Sequence, residues 1–563
     1  MKRTWWKESV AYQIYPRSFM DSNGDGIGDL QGVISKLDYL NQLGVDVIWI
    51  CPIYDSPNDD NGYDIRNYYD IMREFGTMAD FEELLAQAHE RGLKIIMDLV
   101  VNHTSDEHPW FIESRQSPES EKRDYYIWQD GEKGQLPNNW ESFFSGPVWE
   151  WDEASQSHYL HLFSRKQPDL NWENPKVVEE IHAMVKWWLD KGIDGFRVDA
   201  INHIGKAKGY PNAPNPDKLD VVPAHYYFLN LPLVHDKLRE MNENVFSHYD
   251  IMTVGEAPGT SPREALLYVE EARKELDMVF HFEHMNMDHP GGSQGKWGLK
   301  PFPLTRLKQV MTRWQEELHG KGWNANYLSN HDQPRQVSRF GDEGEYRTKS
   351  AKMLATFIHT LEGTPFIYQG EEIGMTNVKF DSIAAYRDVE IRNYHQAQRK
   401  RGKSEADILK AVWVKGRDNA RTPMQWDDSA QAGFTTGEPW IAVNDNYRAI
   451  NVEQALQDPS SVFYYYQKLI ALRKQSDAWV YGRYELLLEE HPDIYAYTRT
   501  SAEEKLLIIL NFSAREVSLQ LPDGLVKASP ELLITNADEA EAAKQADLSA
   551  RMLEPYEAAV YRI

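Results

Sequence analysis

Three carboxylates, Asp199, Glu256 and Asp332, each end a short apolar run that reads as a buried strand: Phe196–Asp199, Asp250–Glu256 and Asn326–Asp332. Arg197 precedes Asp199 by two positions, so in an extended chain the two side chains share a face. His103 closes another such run, and His331 sits beside Asp332. Hydrolysis of an acetal needs one carboxylic acid to protonate the leaving oxygen and a carboxylate across the anomeric carbon. A further anion can stabilise the cationic transition state. Singly, a strand-end Asp also serves to cap the next helix, with Arg197 as its structural partner. Three such acids beside His and Arg favour the chemical reading over the structural one.

The elements that must bring these residues together follow a strand–helix rhythm. Val10–Tyr15, Asp46–Ile50, Lys94–Val101 and Phe196–Asp199 read as buried strands, joined by helical patterns at Leu30–Leu43, Met78–Arg91 and Val177–Lys191. Asp250–Glu256, Asp277–Glu283, Asn326–Asp332 and Thr364–Glu372 continue the series. Eight parallel strands alternating with helices make a (β/α)8 TIM barrel, whose active site lies at the C-terminal strand ends. The rhythm breaks after the third strand, where a Trp-, Pro- and Asp-rich stretch suits a small inserted domain. It also breaks at the C-terminus, where period-two alternation from about Trp479 suits an antiparallel β-sandwich. The expected division is a catalytic barrel over 1–103 and 172–478, a lid-like insert over 104–171 and a sandwich over 479–563. Lys206–Val222 reads as a polar loop, and Arg399-Lys400-Arg401 as a solvated helix end.

Composition narrows the class of partner. With 61 basic and 87 acidic residues, a formal charge of −26 opposes nucleic acid and anionic membranes. The mean hydropathy of −0.62 suits a soluble chain, and no run approaches the ~18 apolar residues of a membrane span. The first ten residues lack the apolar stretch of a signal peptide. The single Cys51 precludes an internal disulfide, so a cytoplasmic setting is expected. Flat aromatic rings, abundant here, suit stacking on sugars.

One loop reads as a metal site. Asp21, Asn23, Asp25 and Asp29 place oxygen-bearing side chains among glycines at 24, 26 and 28, with the Ile27 carbonyl between them. The pattern resembles the first part of a calcium loop, but Gly32 stands where an EF-hand would have its bidentate Glu. Structural Ca²⁺, or Mg²⁺, is the expected ion; a bare Gly/Asp-rich turn is the alternative. No organic cofactor is expected.

Taken together, DLVVNH (98–103), GFRVDAINH (195–203), GE (255–256), SNHD (329–332), QPDLN (167–171) and GTPFIYQGEEIGM (363–375) resemble the conserved regions of the α-amylase superfamily, glycoside hydrolase family 13. WWKESVAYQIYPRSFMDSNGDGIGDLQG and RDNARTPMQWD narrow the likeness to the oligo-1,6-glucosidase and α-glucosidase subgroup. The resemblance implies Asp199 as nucleophile, Glu256 as acid and then base, and Asp332 as stabiliser of the transition state. Arg197 should hold Asp199 ionised, and Glu256 should have a raised pKa. Asp60 and Arg417 should close the pocket behind a non-reducing-end glucose, with Tyr63 stacked on its ring. His103 and His331 should donate to its hydroxyls, with Gln167 nearby. The same resemblance matches Asp21, Asn23, Asp25, Ile27 and Asp29 to the family's calcium loop.

The implied activity is a retaining exo-α-glucosidase acting on a small neutral oligosaccharide, with transglycosylation as a side reaction and a monomer or homodimer as the acting species. Ala200, after the nucleophile, bears on linkage. In this subgroup Val there accompanies α-1,6 cleavage, and Ala or Thr accompanies α-1,4 cleavage. A β-branched side chain would crowd the aglycone's path, whereas Ala leaves it open. The expected substrate is therefore maltose and short malto-oligosaccharides. The alternatives are an oligo-1,6-glucosidase and a trehalose-6-phosphate hydrolase, with a sucrose isomerase or transglucosylase and a non-catalytic relative further off.

Overall fold

The structure, a computed structural model, describes residues 2–290, 292–526, 530–537, 548 and 550–563. Its centre is a parallel sheet of eight strands: β1 (Ala11–Ile14), β2 (Val47–Ile50), β3 (Lys94–Val100), β4 (Gly195–Asp199), β5 (Met252–Glu256), β6 (Met278–Phe280), β7 (Ala325–Asn326) and β8 (Thr364–Tyr368). Neighbours follow chain order, β8 returns to pair with β1, and a parallel bridge from Val279 to Asn324 joins β6 to β7. The sheet thus closes into a barrel. Its strands are apolar runs because side chains on both faces are buried, the inner against each other and the outer against helices. Close pairing of β4 with β5 requires Gly195, at φ +143, since a Cβ there would lie 1.9 Å from the Met252 carbonyl oxygen.

The helix expected over Leu30–Leu43 is two helices, Leu30–Ile34 and Leu37–Leu43. The break follows Ser35, whose hydroxyl bonds the Gly32 carbonyl at 2.6 Å and competes with the helical ladder. Asp29 caps the first piece through the Gly32 amide. Trp479 lies in a short helix, Asp477–Tyr481, so the first C-terminal strand begins at Arg483.

After β3 the chain builds a three-stranded antiparallel sheet from Trp128–Gln129, Trp149–Asp152 and Ser157–Leu160. Its core of Trp140, Val148, Trp149, Leu160 and Leu162 also takes in Ala213, Val222, Ala224 and Phe228. The polar stretch 206–222 is therefore packed against the insert, with Trp140 bridging Val222.

The C-terminal part is a five-stranded antiparallel sheet, with strands Arg483–Leu487, Ile494–Thr500, Lys505–Asn511, Ala558–Arg562 and Glu531–Thr535 in spatial order. A two-stranded ribbon, Val517–Gln520 with Ala550–Leu553, supplies the second layer. Alternation assigns the faces: Ile494, Ala496, Leu507 and Ile509 meet Leu519 and Leu553 of the ribbon. Tyr495, Tyr497, Leu506 and Ile508 turn the other way into the barrel's core.

Candidate active site

The register of β3 on β4 sets Asp98 beside Arg197 and Val100 beside Asp199. Arg197 is buried and serves three carboxylates. Its Nη1 lies 2.8 Å from Asp98 Oδ1 and 2.6 Å from Asp199 Oδ1, and its Nη2 lies 2.8 Å from Glu256 Oε2. Asp98 is steadied by the Trp49 indole N–H at 3.1 Å and the Tyr63 hydroxyl at 2.9 Å. Asp199 and Glu256 therefore sit on the two amino groups of one guanidinium.

One cation cannot neutralise three buried anions. Burial raises Asp199 to about 7, with Arg197 opposing and Asp98 adding to the rise. Burial raises Glu256 to about 7 as well, again against Arg197 and with Asp199 and Asp332 adding to it. Asp98 is lifted to about 6 by burial. The raised Glu256 matches the sequence-based expectation. Asp199 differs: Arg197 alone does not hold it ionised, because that charge is divided. Both carboxyls are therefore raised towards neutrality, the Asp199 charge adding to the rise of Glu256.

Asp332 goes the other way. Burial would raise it, but His331, Arg417 and Arg421 hold it well below the usual carboxylate range. Arg421 Nη2 lies 2.5 Å and Arg417 Nη1 3.3 Å from its Oδ1. Gln13 on β1 orients His331, since its amide Nε2 lies 2.8 Å from His331 Nδ1. With Nδ1 accepting, the proton falls on Nε2, which makes no protein hydrogen bond and lies 3.3 Å from Asp332 Oδ2. A buried N–H is thereby left to meet a ligand hydroxyl beside Asp332.

Arg417 closes one side. It pairs with Asp60 at 2.9 Å, lies over the Phe144 ring of the insert at 4.9 Å, and is forked by Asp388, its Nε 3.1 Å from both carboxylate oxygens. Gln167, fully buried, donates to Asp60 at 3.2 Å and to the Tyr63 carbonyl at 3.0 Å. The Tyr63 ring stacks on His331 with centroids 5.1 Å apart and planes at 5°. His103 Nε2 lies 2.9 Å from the Tyr63 carbonyl, so in the free protein its N–H is engaged there. Ala200 adopts a left-handed conformation, φ 43°, and its amide donates to Glu256 Oε2 at 3.1 Å. The residue after Asp199 thus touches the other carboxylate directly.

Asp60, Tyr63, His103, Gln167, Arg197, Ala200, Glu256, His331, Asp332 and Arg417 therefore surround Asp199 through connected contacts. Asp98, Gln13, Asp388, Arg421 and Phe144 belong to the same network. Asp98 and Arg421 lie inside motifs quoted above and were within reach of a motif-based reading. Asp388, at the start of helix Val389–Lys400, carries no local signal.

The 21–29 loop stands apart. Asp21 Oδ1 accepts from the amides of Asn23 and Gly24, Asn23 Oδ1 from Asp25, and Asp25 Oδ1 from Ile27, each at 2.8 or 2.9 Å. Asp21 Oδ2 accepts from Thr435 at 2.5 Å, which ties the loop to the segment between β8 and the last barrel helix. Successive Asx turns at alternate residues are compatible with an oxygen-lined cation loop. Among the described residues no group of three or more His, Cys, Asp and Glu side chains is placed to hold a metal, so the donors there would include Asn23 and the Ile27 carbonyl.

Buried acids sharing one guanidinium at the C-terminal ends of a (β/α)8 barrel define a barrel enzyme with paired carboxyls suited to acid–base work on an acetal. A family model described as "Alpha amylase, catalytic domain" matches residues 13–482, and one described as "Maltogenic Amylase, C-terminal domain" matches residues 484–560. The chain belongs to the α-amylase family, glycoside hydrolase family 13, and is a glycoside hydrolase. It is 59% identical over 564 residues to the oligo-1,6-glucosidase of Parageobacillus thermoglucosidasius, covering 100% of both chains. It is 53% identical over 563 residues to the trehalose-6-phosphate hydrolase of Bacillus subtilis (strain 168), covering 99% of this chain and 98% of the relative. The crystal structure of a mutant of Bacillus licheniformis trehalose-6-phosphate hydrolase, in complex with PNG, superposes with a TM-score of 0.94 at 50% identity over 100% of both chains. Among the described residues no helix is long and apolar enough to cross a membrane.

Proposed function

We propose that the protein is a retaining exo-α-glucosidase that releases glucose from the non-reducing end of short oligosaccharides, with α-1,6 bonds as its preferred target. The observation that carries the reaction type is the placement of Asp199 and Glu256 on opposite amino groups of Arg197, at 2.6 and 2.8 Å. In the reactive form Asp199 is ionised and attacks the anomeric carbon, while protonated Glu256 gives its proton to the leaving oxygen. Glu256, now a carboxylate, then takes a proton from a water. The oxygen of that water bonds to the anomeric carbon as the bond from that carbon to Asp199 breaks, which releases glucose and restores both groups. Asp332, held ionised by Arg417 and Arg421, meets the sugar hydroxyls and the developing positive charge. The ion pair of Asp60 with Arg417 and the stack of Tyr63 on His331 bound the glucose pocket, which supports removal of one terminal unit at a time.

The α-1,6 preference rests on the oligo-1,6-glucosidase relative. A second reading, α-1,4 cleavage, is favoured by Ala200, which lies against Glu256 and lacks the β-branch that would crowd an aglycone there. Hydrolysis of trehalose 6-phosphate, suggested by the relative of that name, would need a cation for the phosphate. Initial rates on isomaltose, maltose and trehalose 6-phosphate separate the three. Isomaltose should be cut fastest; a faster rate on either other sugar would replace the α-1,6 assignment. Asp21, Asn23, Asp25, Asp29 and the Ile27 carbonyl would hold a structural Ca²⁺ or Mg²⁺, whose chemistry there is to neutralise the loop's carboxylates.

A further inference from the structure

Burial lowers the pKa of His103 and keeps its ring neutral. The ring then carries one proton, and the nitrogen that holds it decides what His103 offers the sugar pocket. The pocket side leaves that choice open. Nε2 lies 2.9 Å from the Tyr63 carbonyl oxygen, which calls for an N–H. It also lies 3.1 Å from the Gln167 amide nitrogen, which would donate to a bare ring nitrogen.

The buried side settles it. Asn102 Nδ2 lies 3.2 Å from His103 Nδ1 and 3.1 Å from Asp169 Oδ2, while Asn102 Oδ1 lies 3.0 Å from Lys206 Nζ. Lys206 is on the loop after β4, yet its side chain is only 4% exposed; Asp169, from the insert, is 0% exposed, and the two pair at 2.6 Å. The Leu162 amide fixes the other Asp169 oxygen at 3.0 Å. An ammonium has only donors and a carboxylate only acceptors. Lys206 therefore takes Asn102 by its oxygen, and Asp169 takes it by its nitrogen. Turning the amide over would set donor against donor at Lys206 and acceptor against acceptor at Asp169, both buried mismatches. Held this way, Asn102 presents an N–H to Nδ1, so Nδ1 accepts and the ring proton falls on Nε2.

We propose that Lys206 and Asp169 are positioning residues: by fixing the face of the Asn102 amide they set the His103 tautomer, so that the ring offers an N–H to a hydroxyl of the terminal glucose, a role that rests on the exo-glucosidase function proposed for the site.

Neutron diffraction from deuterium-exchanged crystals of the full chain locates the proton directly. Deuterium on Nε2 and none on Nδ1 is expected; deuterium on Nδ1 overturns the proposal. A double-mutant cycle in kcat/KM, on whichever glucoside is cut fastest, tests the route. Lys206→Met should lower kcat/KM about tenfold, the worth of one hydrogen bond. In a His103→Ala background the same change should cost less than about twofold, since the donor it positions is gone. Asn102→Leu leaves the Lys206–Asp169 pair whole, should behave in the cycle as Lys206→Met does, and decides the matter if Lys206→Met does not fold. Equal losses with and without His103 show a purely structural role and overturn the proposal, as does an unchanged kcat/KM in His103→Ala. An enzyme that cleaves none of the glucosides contradicts the proposed function instead, and the neutron map still decides the tautomer.

Discussion

At the residue scale, the chemistry turns on where one proton resides. Asp199 and Glu256 are both raised to about 7, burial being the main cause for each. The active form is the singly protonated pair, so kcat/KM should follow a bell in pH. Activity should fall on the alkaline side as Glu256 loses its proton, near pH 7, and on the acid side as protonation neutralises the nucleophile. In Glu256→Gln, an aryl glucoside whose leaving group needs no proton should still be cleaved, but without the alkaline limb. An unchanged alkaline limb in that variant would remove Glu256 as the acid. Ala200 offers a second test. Its φ of 43° is a conformation that β-branched residues rarely adopt. Ala200→Val should therefore lower the melting temperature by a few degrees and shift the isomaltose-to-maltose rate ratio towards isomaltose. A ratio equal to that of the parent enzyme would detach this position from linkage choice.

Among the elements, Asp388 shows how the long insertion after β8 serves the site. It caps helix Val389–Lys400 through the Glu390 amide and forks Arg417, joining that helix to the carboxylate network around Asp332. Asp388→Ala leaves a buried guanidinium short of a partner, which should cost about 3–5 kcal/mol in urea unfolding. A loss below about 1 kcal/mol would show that Asp60 and Asp332 suffice. The 21–29 loop makes a similar link, through Asp21 and Thr435. If it holds Ca²⁺, a chelator should lower the melting temperature and added Ca²⁺ should restore it; identical midpoints would mean an empty loop. The strands delivering Asp98, Asp199 and Glu256 are legible in the sequence because strands buried on both faces are apolar runs with polar ends. Asp332, expected to end a strand Asn326–Asp332, lies instead in a turn beyond β7, which stops at Asn326. Asp388 is not legible, since its role comes from a contact 29 positions away in the chain. The 206–222 stretch reads as a free loop for a related reason: its few apolar residues matter only once Trp140 lies against them.

For the whole molecule, period and punctuation in the sequence are enough for the barrel, the break after its third strand and the C-terminal sheets. The division of one guanidinium among three acids depends on distances between remote segments and has no linear signature. The central claim is a double displacement at Asp199 and Glu256 on an α-linked terminal glucose. It is tested most directly by following isomaltose hydrolysis with proton NMR and recording which anomer of glucose forms first. Retention requires α-glucose to appear first and mutarotate afterwards. β-Glucose as the first product, or no glucose from isomaltose, maltose or trehalose 6-phosphate, would contradict it.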